Sequence, residues 1–253
     1  NRILVDAGVK RIQQNQCRAG ISALLDIAGR DPAQLKAQDL GFVLGPRVNA
    51  AGRMETMDIG IECLLAQDMQ TAYPLAQQLN DLNVERRQVE LQMKQQALVE
   101  LEKLQLDQQH LPATLVMFNE HWHQGVIGIV AGRLKEQFHR PSIVFAADDD
   151  GIHIKGSARS IDGVHIRDAI EMIAEQYPHL VSHFGGHAAA AGLTLQKVHF
   201  AQFKQAFEQL ISAMDESLFH ATVWTDGELA TENFQLETVR LLQNLTPWGH
   251  KFP

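Results

Sequence analysis

The stretch Ser142-Ile143-Val144-Phe145-Ala146-Ala147-Asp148-Asp149-Asp150-Gly151-Ile152-His153-Ile154-Lys155-Gly156-Ser157-Ala158-Arg159 decides the fold class. A short apolar run, an Asp/Gly turn and a second extended segment read as strand, turn and strand. In the second strand Ser157 and Arg159 fall on one face, because side chains alternate along a strand.

Strands and helices alternate on both sides of this stretch. Ala113–Phe118 is an apolar strand. Gly125–Phe138 is a helix whose Gly125, Gly128, Ala131 and Gly132 form a small face suited to close packing on a sheet. His165–Tyr177 is a helix. Val181–Leu195 gives one or two strands interrupted by a Gly/Ala tract. Phe200–Met214 is a helix with Phe200, Phe203, Phe207, Leu210 and Ile211 on one side. The pattern predicts an α/β domain with a mixed sheet over residues 113–215.

Upstream, residues 4–65 read as short helices. Ile21–Ile27 is an apolar run stopped by Gly29 and Pro32, and Leu40–Leu44 is a short stretch ended by Gly45-Pro46. Between them and the α/β domain lies a connector, residues 66–112. Within it Met69–Leu104 has no glycine, and Leu75, Leu79, Leu82, Val89 and Met93 form a helical seam. Such a helix is a rod of roughly 50 Å. Residues 216–253 are too few for a core of their own. They have a strand-like start at Ala221–Trp224 and a helix near Gln235–Gln243. The abrupt ends of the chain predict a piece of a longer protein.

Composition narrows the function classes. Of 253 residues, 45% are hydrophobic and 21% charged, which excludes disorder of the whole chain. No apolar run is long enough for a membrane span. Cys17 and Cys63 are too few for a disulfide scaffold, and a reducing cytoplasm is the expected setting. The net charge of −8 argues against a surface that coats nucleic acid indiscriminately. Residues 1–65 alone carry net +1, so an anionic ligand meets least repulsion there or at isolated arginines further on.

Three clusters carry candidate chemistry. In Leu44–Met54, Arg47, Asn49 and Arg53 sit among small residues, which lets backbone amides approach a phosphate while a guanidinium clasps it. A tight connection with solvated arginines fits the same spacing equally well. In Lys155–Ser160, Ser157 and Arg159 make an oxyanion pocket if they share a face; an ordinary exposed strand end is the competing reading. In His183–Gly192, Gly185 and Gly186 precede His187 and four alanines. Paired glycines let a ligand or another backbone come close, and the alanines predict an element packed against them. His187 is placed to donate to a phosphate or to steady a metal-bound water. The histidines form no HExxH or paired Cys/His pattern, and there is no phosphate-binding GxGxxG or Walker loop.

At these motifs, Gly45–Met54, Gly125–Phe145, Gly156–Ser160 and Phe184–Gly192, the sequence resembles the DHH/DHHA1 phosphoesterase superfamily, and within it the single-strand-specific 5′→3′ DNA exonucleases of DNA repair and recombination. The resemblance implies the end of a DHH domain at residues 1–65, a connecting helix at 66–112, a DHHA1 domain at 113–215 and the truncated start of an OB-fold domain at 216–253. It implies phosphate contacts from Ser157, Arg159 and either Arg47 or Arg53, with His187 facing the scissile phosphate. It implies hydrolysis of a phosphodiester by metal-activated water, with Mn or Mg as cofactor in the parent protein. No Asp-His-His triplet occurs here, so no metal ligand is assignable to this chain, and the chain alone is expected to be inactive. The implied partners are single-stranded DNA, a single-strand-binding protein and a helicase, with no membrane and a monomeric state. Other members of the superfamily, a nanoRNase or cyclic-dinucleotide phosphodiesterase, and a non-catalytic nucleic-acid-binding module are the alternatives.

Overall fold

A computed structural model describes residues 1–103, 111–223 and 225–245. The Trp224 end of the expected tail strand and the Pro247–Pro253 end lie outside the described residues. The chain divides into two compact units, one of residues 1–86 with 224–253 and one of residues 87–223.

The first unit is helical: α1 (Arg2–Gln13), α2 (Ala19–Ile27), α3 (Ala37–Asp39), α4 (Gly45–Met54), α5 (Asp58–Leu65) and the start of α6 (Met69–Lys103). Its core joins Leu24 and Leu25 of α2, Ala50 and Ala51 of α4, Cys63 of α5, and Ala72, Ala76, Leu79 and Leu82 of α6. Two expectations are corrected here. Gly45-Pro46 does not end the Leu40–Leu44 stretch, which is a π-helical turn running directly into α4. Residues 45–54 are therefore a helix and not a tight connection. Proline is tolerated in the first turn of a helix, and Ala50 and Ala51 are fully buried helix formers, so packing overrides the glycines.

The predicted rod is a single helix of 35 residues, α6. Its seam serves both units in turn. Leu79 and Leu82 are buried in the first core, whereas Met93, Ala97 and Leu101 are buried within the second unit.

The second unit is a mixed α/β layer. It contains β1 (Leu115–Asn119), α7 (Ile127–Phe138), β2 (Ser142–Ala147), β3 (His153–Arg159), α8 (Ile166–Gln176), β4 (His183–His187), β5 (Ala190–Gln196) and α9 (Phe200–Ser212). The strand order is β1-β2-β3-β5-β4. β1 and β2 are parallel, joined by α7 as a crossover, and the other pairs are antiparallel. One face carries α8 and α9. There Phe145, Ile154, Ala158, Leu193 and Leu195 meet Ile166, Ile170, Phe203 and Phe207. Phe203 and Phe207 stack at 6.0 Å, and Phe145 meets Phe203 edge-on at 5.9 Å. The opposite face carries α7, over β2 and β3.

The remaining differences are local. β1 starts two residues late because the Glu208 carboxylate takes the Ala113 and Thr114 amides. The 181–195 segment resolves into a hairpin, β4 and β5. Ala188 and Ala189 are exposed rather than packed, and their carbonyls accept from the Ile166 and Ser160 amides. The helix expected near 235–243 is α10 (Leu236–Asn244), but Ala221–Val223 forms no strand, and Val223 is left 85% exposed.

Candidate functional site

Strand alternation sorts the second unit's sheet into two faces. Ile154, Gly156 and Ala158 of β3 are buried beneath α8 and α9, as are Ala191, Leu193 and Leu195 of β5. Their alternates therefore face the α7 side: Lys155, Ser157 and Arg159 on β3, Ala190, Gly192 and Thr194 on β5, and His183, Gly185 and His187 on β4. The register aligns them in rows across the strands. His187 pairs with Ala190, which pairs with Arg159. Gly185 pairs with Gly192, which pairs with Ser157.

Ser157 and Arg159 do share a face, and they are bonded. Arg159 Nη1 donates to Ser157 Oγ at 3.0 Å and to the Ala158 carbonyl at 2.8 Å. The guanidinium is thus laid back along its own strand. Because Ser157 Oγ accepts from Arg159, its own hydrogen is directed elsewhere. The first turn of α7 lies directly above. A β-carbon on Gly128 would stand 2.8 Å from Ser157 Oγ and 2.9 Å from Arg159 Nη2. Serine, arginine and the first turn of α7 thus meet in one cradle, and a helix N-terminus carries partial positive charge. The Gly-rich face of this helix was legible in the sequence, but Gly128 was not distinguished from Gly132, whose β-carbon would meet nothing.

Beside this cradle the sheet face is floored by glycine. Gly185 and Gly192 need not be glycine for the fold: neither has positive φ, and neither would crowd a neighbour if given a β-carbon. Glycine inside a strand costs packing and entropy, and it marks places where something approaches the backbone. Gly186 is different. Its φ is 149°, and a β-carbon there would lie 2.4 Å from the Ala190 carbonyl, so it serves the hairpin. His187 is exposed at the end of β4, two strands from Arg159, about 10 Å between backbones.

The remaining candidates lie in the first unit on α4. Arg47 is half-buried, its guanidinium donating to the Val43 carbonyl at 2.8 Å and to Asn80 Oδ1 at 3.1 Å. It ties α4 to α6. Asn49 and Arg53, one helical turn apart, are exposed on the same face. The α4 amides beyond the first turn are engaged in helix bonds, so they form no phosphate cradle.

At the far end of β3 the charges are already matched. Lys155 Nζ meets Asp148 at 2.9 Å, and this bond raises the lysine and lowers the aspartate from their ordinary values. Asp150 accepts from the His153 and Ile152 amides and pairs with the His153 ring at 2.6 Å. The His153 amide and ring, then the Ile152 amide, bring its carboxyl down to about 2. Among the described residues no group of three or more His, Cys, Asp or Glu is placed to hold a metal ion. No helix there is long and apolar enough to cross a membrane.

The sequence and the fold match known proteins. Residues 111–217 match the DHHA1 domain family. The whole chain aligns with single-stranded-DNA-specific exonuclease RecJ of Dickeya dadantii at 49% identity and of Escherichia coli at 46%, covering 44% of each. A crystal structure of Thermus thermophilus RecJ in complex with Mg²⁺ superposes with a TM-score of 0.81 at 27% identity, over 96% of this chain and 36% of that one. A second, with Mn²⁺, gives 0.71 at 29% identity, over 84% and 30%. Residues 111–217 thus carry the features of a DHHA1 domain. The whole chain is similar to the RecJ exonucleases, and it spans less than half the length of those relatives.

Proposed function

We propose that the larger protein containing this chain is a metal-dependent exonuclease that degrades single-stranded DNA in the 5′→3′ direction. In this reading residues 87–223 bind the strand and its 5′-terminal phosphate. The observation that carries it is the bonded Ser157–Arg159 pair beneath the α7 N-terminus, opening onto the Gly185–Gly192 floor. A terminal phosphate has three oxygens to satisfy. The arginine supplies charge and directed N–H groups, the serine hydroxyl a further donor, and the helix end a favourable field. Flat glycine beside them lets the first nucleotides lie against the backbone. The names of the relatives supply the substrate class.

Mn²⁺ or Mg²⁺ would activate the attacking water in the whole protein. The described residues offer no ligand set for it, so the part played by this chain is to hold the phosphate and orient the strand, with His187 donating to a phosphate oxygen from the end of β4. Asn49 and Arg53 offer a second anion-binding surface on α4. The chain by itself binds DNA without cleaving it. The test compares binding of 5′-phosphorylated and 5′-hydroxyl single strands to the isolated chain, alongside nucleotide release with Mn²⁺. Equal affinity for both ends would defeat the end-recognition role, and metal-dependent release by the isolated chain would defeat the division of labour.

A further inference from the structure

The open face does not stop at the glycine row. One step further along the strands, His183 of β4 pairs with Thr194 of β5, which pairs with Lys155 of β3. These three side chains belong to the same face as Arg159 and His187, by the same alternation. His183 and Lys155 are exposed and Thr194 is half-buried. The face is thus a ladder of three rows: His187 and Arg159, then a floor of Gly185 and Gly192 beside Ser157, then a third row of His183, Thr194 and Lys155. The outer rows are four residues apart along each strand, or about 13 Å. That is too far for the single phosphate of one nucleotide to touch both.

We propose that the His183–Thr194–Lys155 row is a second subsite that holds the same strand one or more linkages beyond the end-phosphate cradle. This inference rests on the proposed reading of Ser157 and Arg159. The chemistry of the row is that of an internal diester and its bases. An ammonium and a hydroxyl donate to one diester oxygen each, and an imidazole beside flat backbone offers a ring for base stacking. Lys155 reaches this role through an exchange. In the structure its ammonium is held by Asp148, which also accepts from Gln124, and Asp149 and Asp150 follow in the same turn. The bound strand takes over one hydrogen of the ammonium while Asp148 keeps another, so the acidic turn tempers affinity at this end.

The test uses the whole protein without divalent metal, so that nothing is cleaved. Affinities are measured for 5′-phosphorylated thymidine mononucleotide, trinucleotide and hexanucleotide. Lys155→Gln should weaken the hexanucleotide by about two- to fivefold, the range for a half-exposed charge contact, His183→Ala should weaken it by about fivefold through the lost stacking ring, and both should leave the mononucleotide unchanged. Asp148→Asn keeps an acceptor in the turn but removes its charge, and should tighten the hexanucleotide. A folding defect would not produce that gain. Equal loss for mononucleotide and hexanucleotide, or no loss in either variant together with no gain from Asp148→Asn, overturns the second subsite. Arg159→Ala in the same series separates the two ideas. If it weakens every phosphorylated ligand while the row-three variants do nothing, the end-phosphate reading stands and this inference falls. If Arg159→Ala also changes nothing, the underlying reading has failed.

Discussion

Arg159 Nη2 lies 2.9 Å from the point where a side chain on Gly128 would begin. The glycine in α7 therefore sets where the guanidinium can sit. Gly128→Ala should not unfold the helix, since alanine is the better helix former by about 1 kcal/mol. It should push Arg159 and Ser157 from their bonded positions, and an off-rotamer side chain costs about 0.5–1.5 kcal/mol. The expected result is a folded protein whose preference for a 5′-phosphate falls about two- to tenfold. An unchanged preference would mean the close approach has no part in recognition.

Gly185 and Gly186 are neighbours with opposite roles, and a pair of alanine variants should show it. Gly186→Ala places a β-carbon against the Ala190 carbonyl at a φ of 149°, and should destabilise by about 1–3 kcal/mol in thermal unfolding. Gly185→Ala meets nothing and should change stability by less than about 1 kcal/mol. Only Gly185→Ala, still stably folded, should show weakened single-strand binding that its stability does not explain. If it binds as wild type does, the glycine floor is not a contact surface.

The parts legible in the sequence are those where local pattern and packing agree. Ser142–Ala147 matched to the residue, because an apolar run between Pro141 and an aspartate turn has no competing reading. The shared face of Ser157 and Arg159 followed from alternation alone. Where glycine and alanine dominate, pattern fails. Gly45-Pro46 reads as a stop and the residues after it as a tight connection because the glycines are visible locally, while the burial of Ala50 and Ala51 that makes the segment a helix is tertiary. The third row is not legible in the sequence, for a related reason. Lys155, Thr194 and His183 are adjacent only through a register that joins β3 to β5 and β5 to β4, and nothing in a linear reading supplies it.

Two arginines on α4 should separate by experiment. Arg47 bridges α4 to α6 through Val43 and Asn80, and Arg47→Ala should lower stability by about 1–3 kcal/mol because half-buried acceptors lose their donors. Arg53 is exposed, where a polar or ionic contact is worth about 0–1 kcal/mol, so Arg53→Ala should cost less stability than Arg47→Ala. If Arg53 meets DNA phosphate, that same variant reduces both the affinity and its salt dependence. A salt dependence identical to wild type would remove Arg53 from the binding surface.

The turn at Asp150 makes a pH-dependent contribution of defined sign. Its carboxyl is brought down to about 2 by the His153 amide and ring and then the Ile152 amide, from an ordinary value of about 3.9. A carboxyl depressed on folding contributes stability above its unfolded value, and the contribution is lost as pH falls through the folded value. The window therefore runs from about pH 4 down to about pH 2. A carboxyl titration of Asp150 followed by NMR should have its midpoint near the lower limit, and Asp150→Asn should flatten the acid dependence of unfolding across that window. A midpoint near 4 would show that the amide and histidine bonds do not persist in solution.

The remaining prediction concerns discrimination between the two kinds of 5′ end. A terminal phosphate carries more charge than an internal diester, so an arginine dedicated to it should separate phosphorylated from hydroxyl ends. Arg159 is already oriented by Ser157 and the Ala158 carbonyl, which lowers the entropy lost when it binds. In the whole protein, Arg159→Ala should remove a charge-assisted contact of about 1.5–3 kcal/mol, roughly ten- to a hundredfold in kcat/KM for the phosphorylated strand. The hydroxyl strand should lose much less. Arg159→Lys should recover only part, because an ammonium cannot hold Ser157 and a phosphate with one planar fork. Ser157→Ala should fall between wild type and Arg159→Ala, since it removes both a donor to phosphate and the acceptor that positions the arginine. A strand-end surface charge would instead affect both substrates alike, and by little. A ratio of phosphorylated to hydroxyl kcat/KM that stays constant through all three variants at fixed salt would place Arg159 outside any end-recognition pocket.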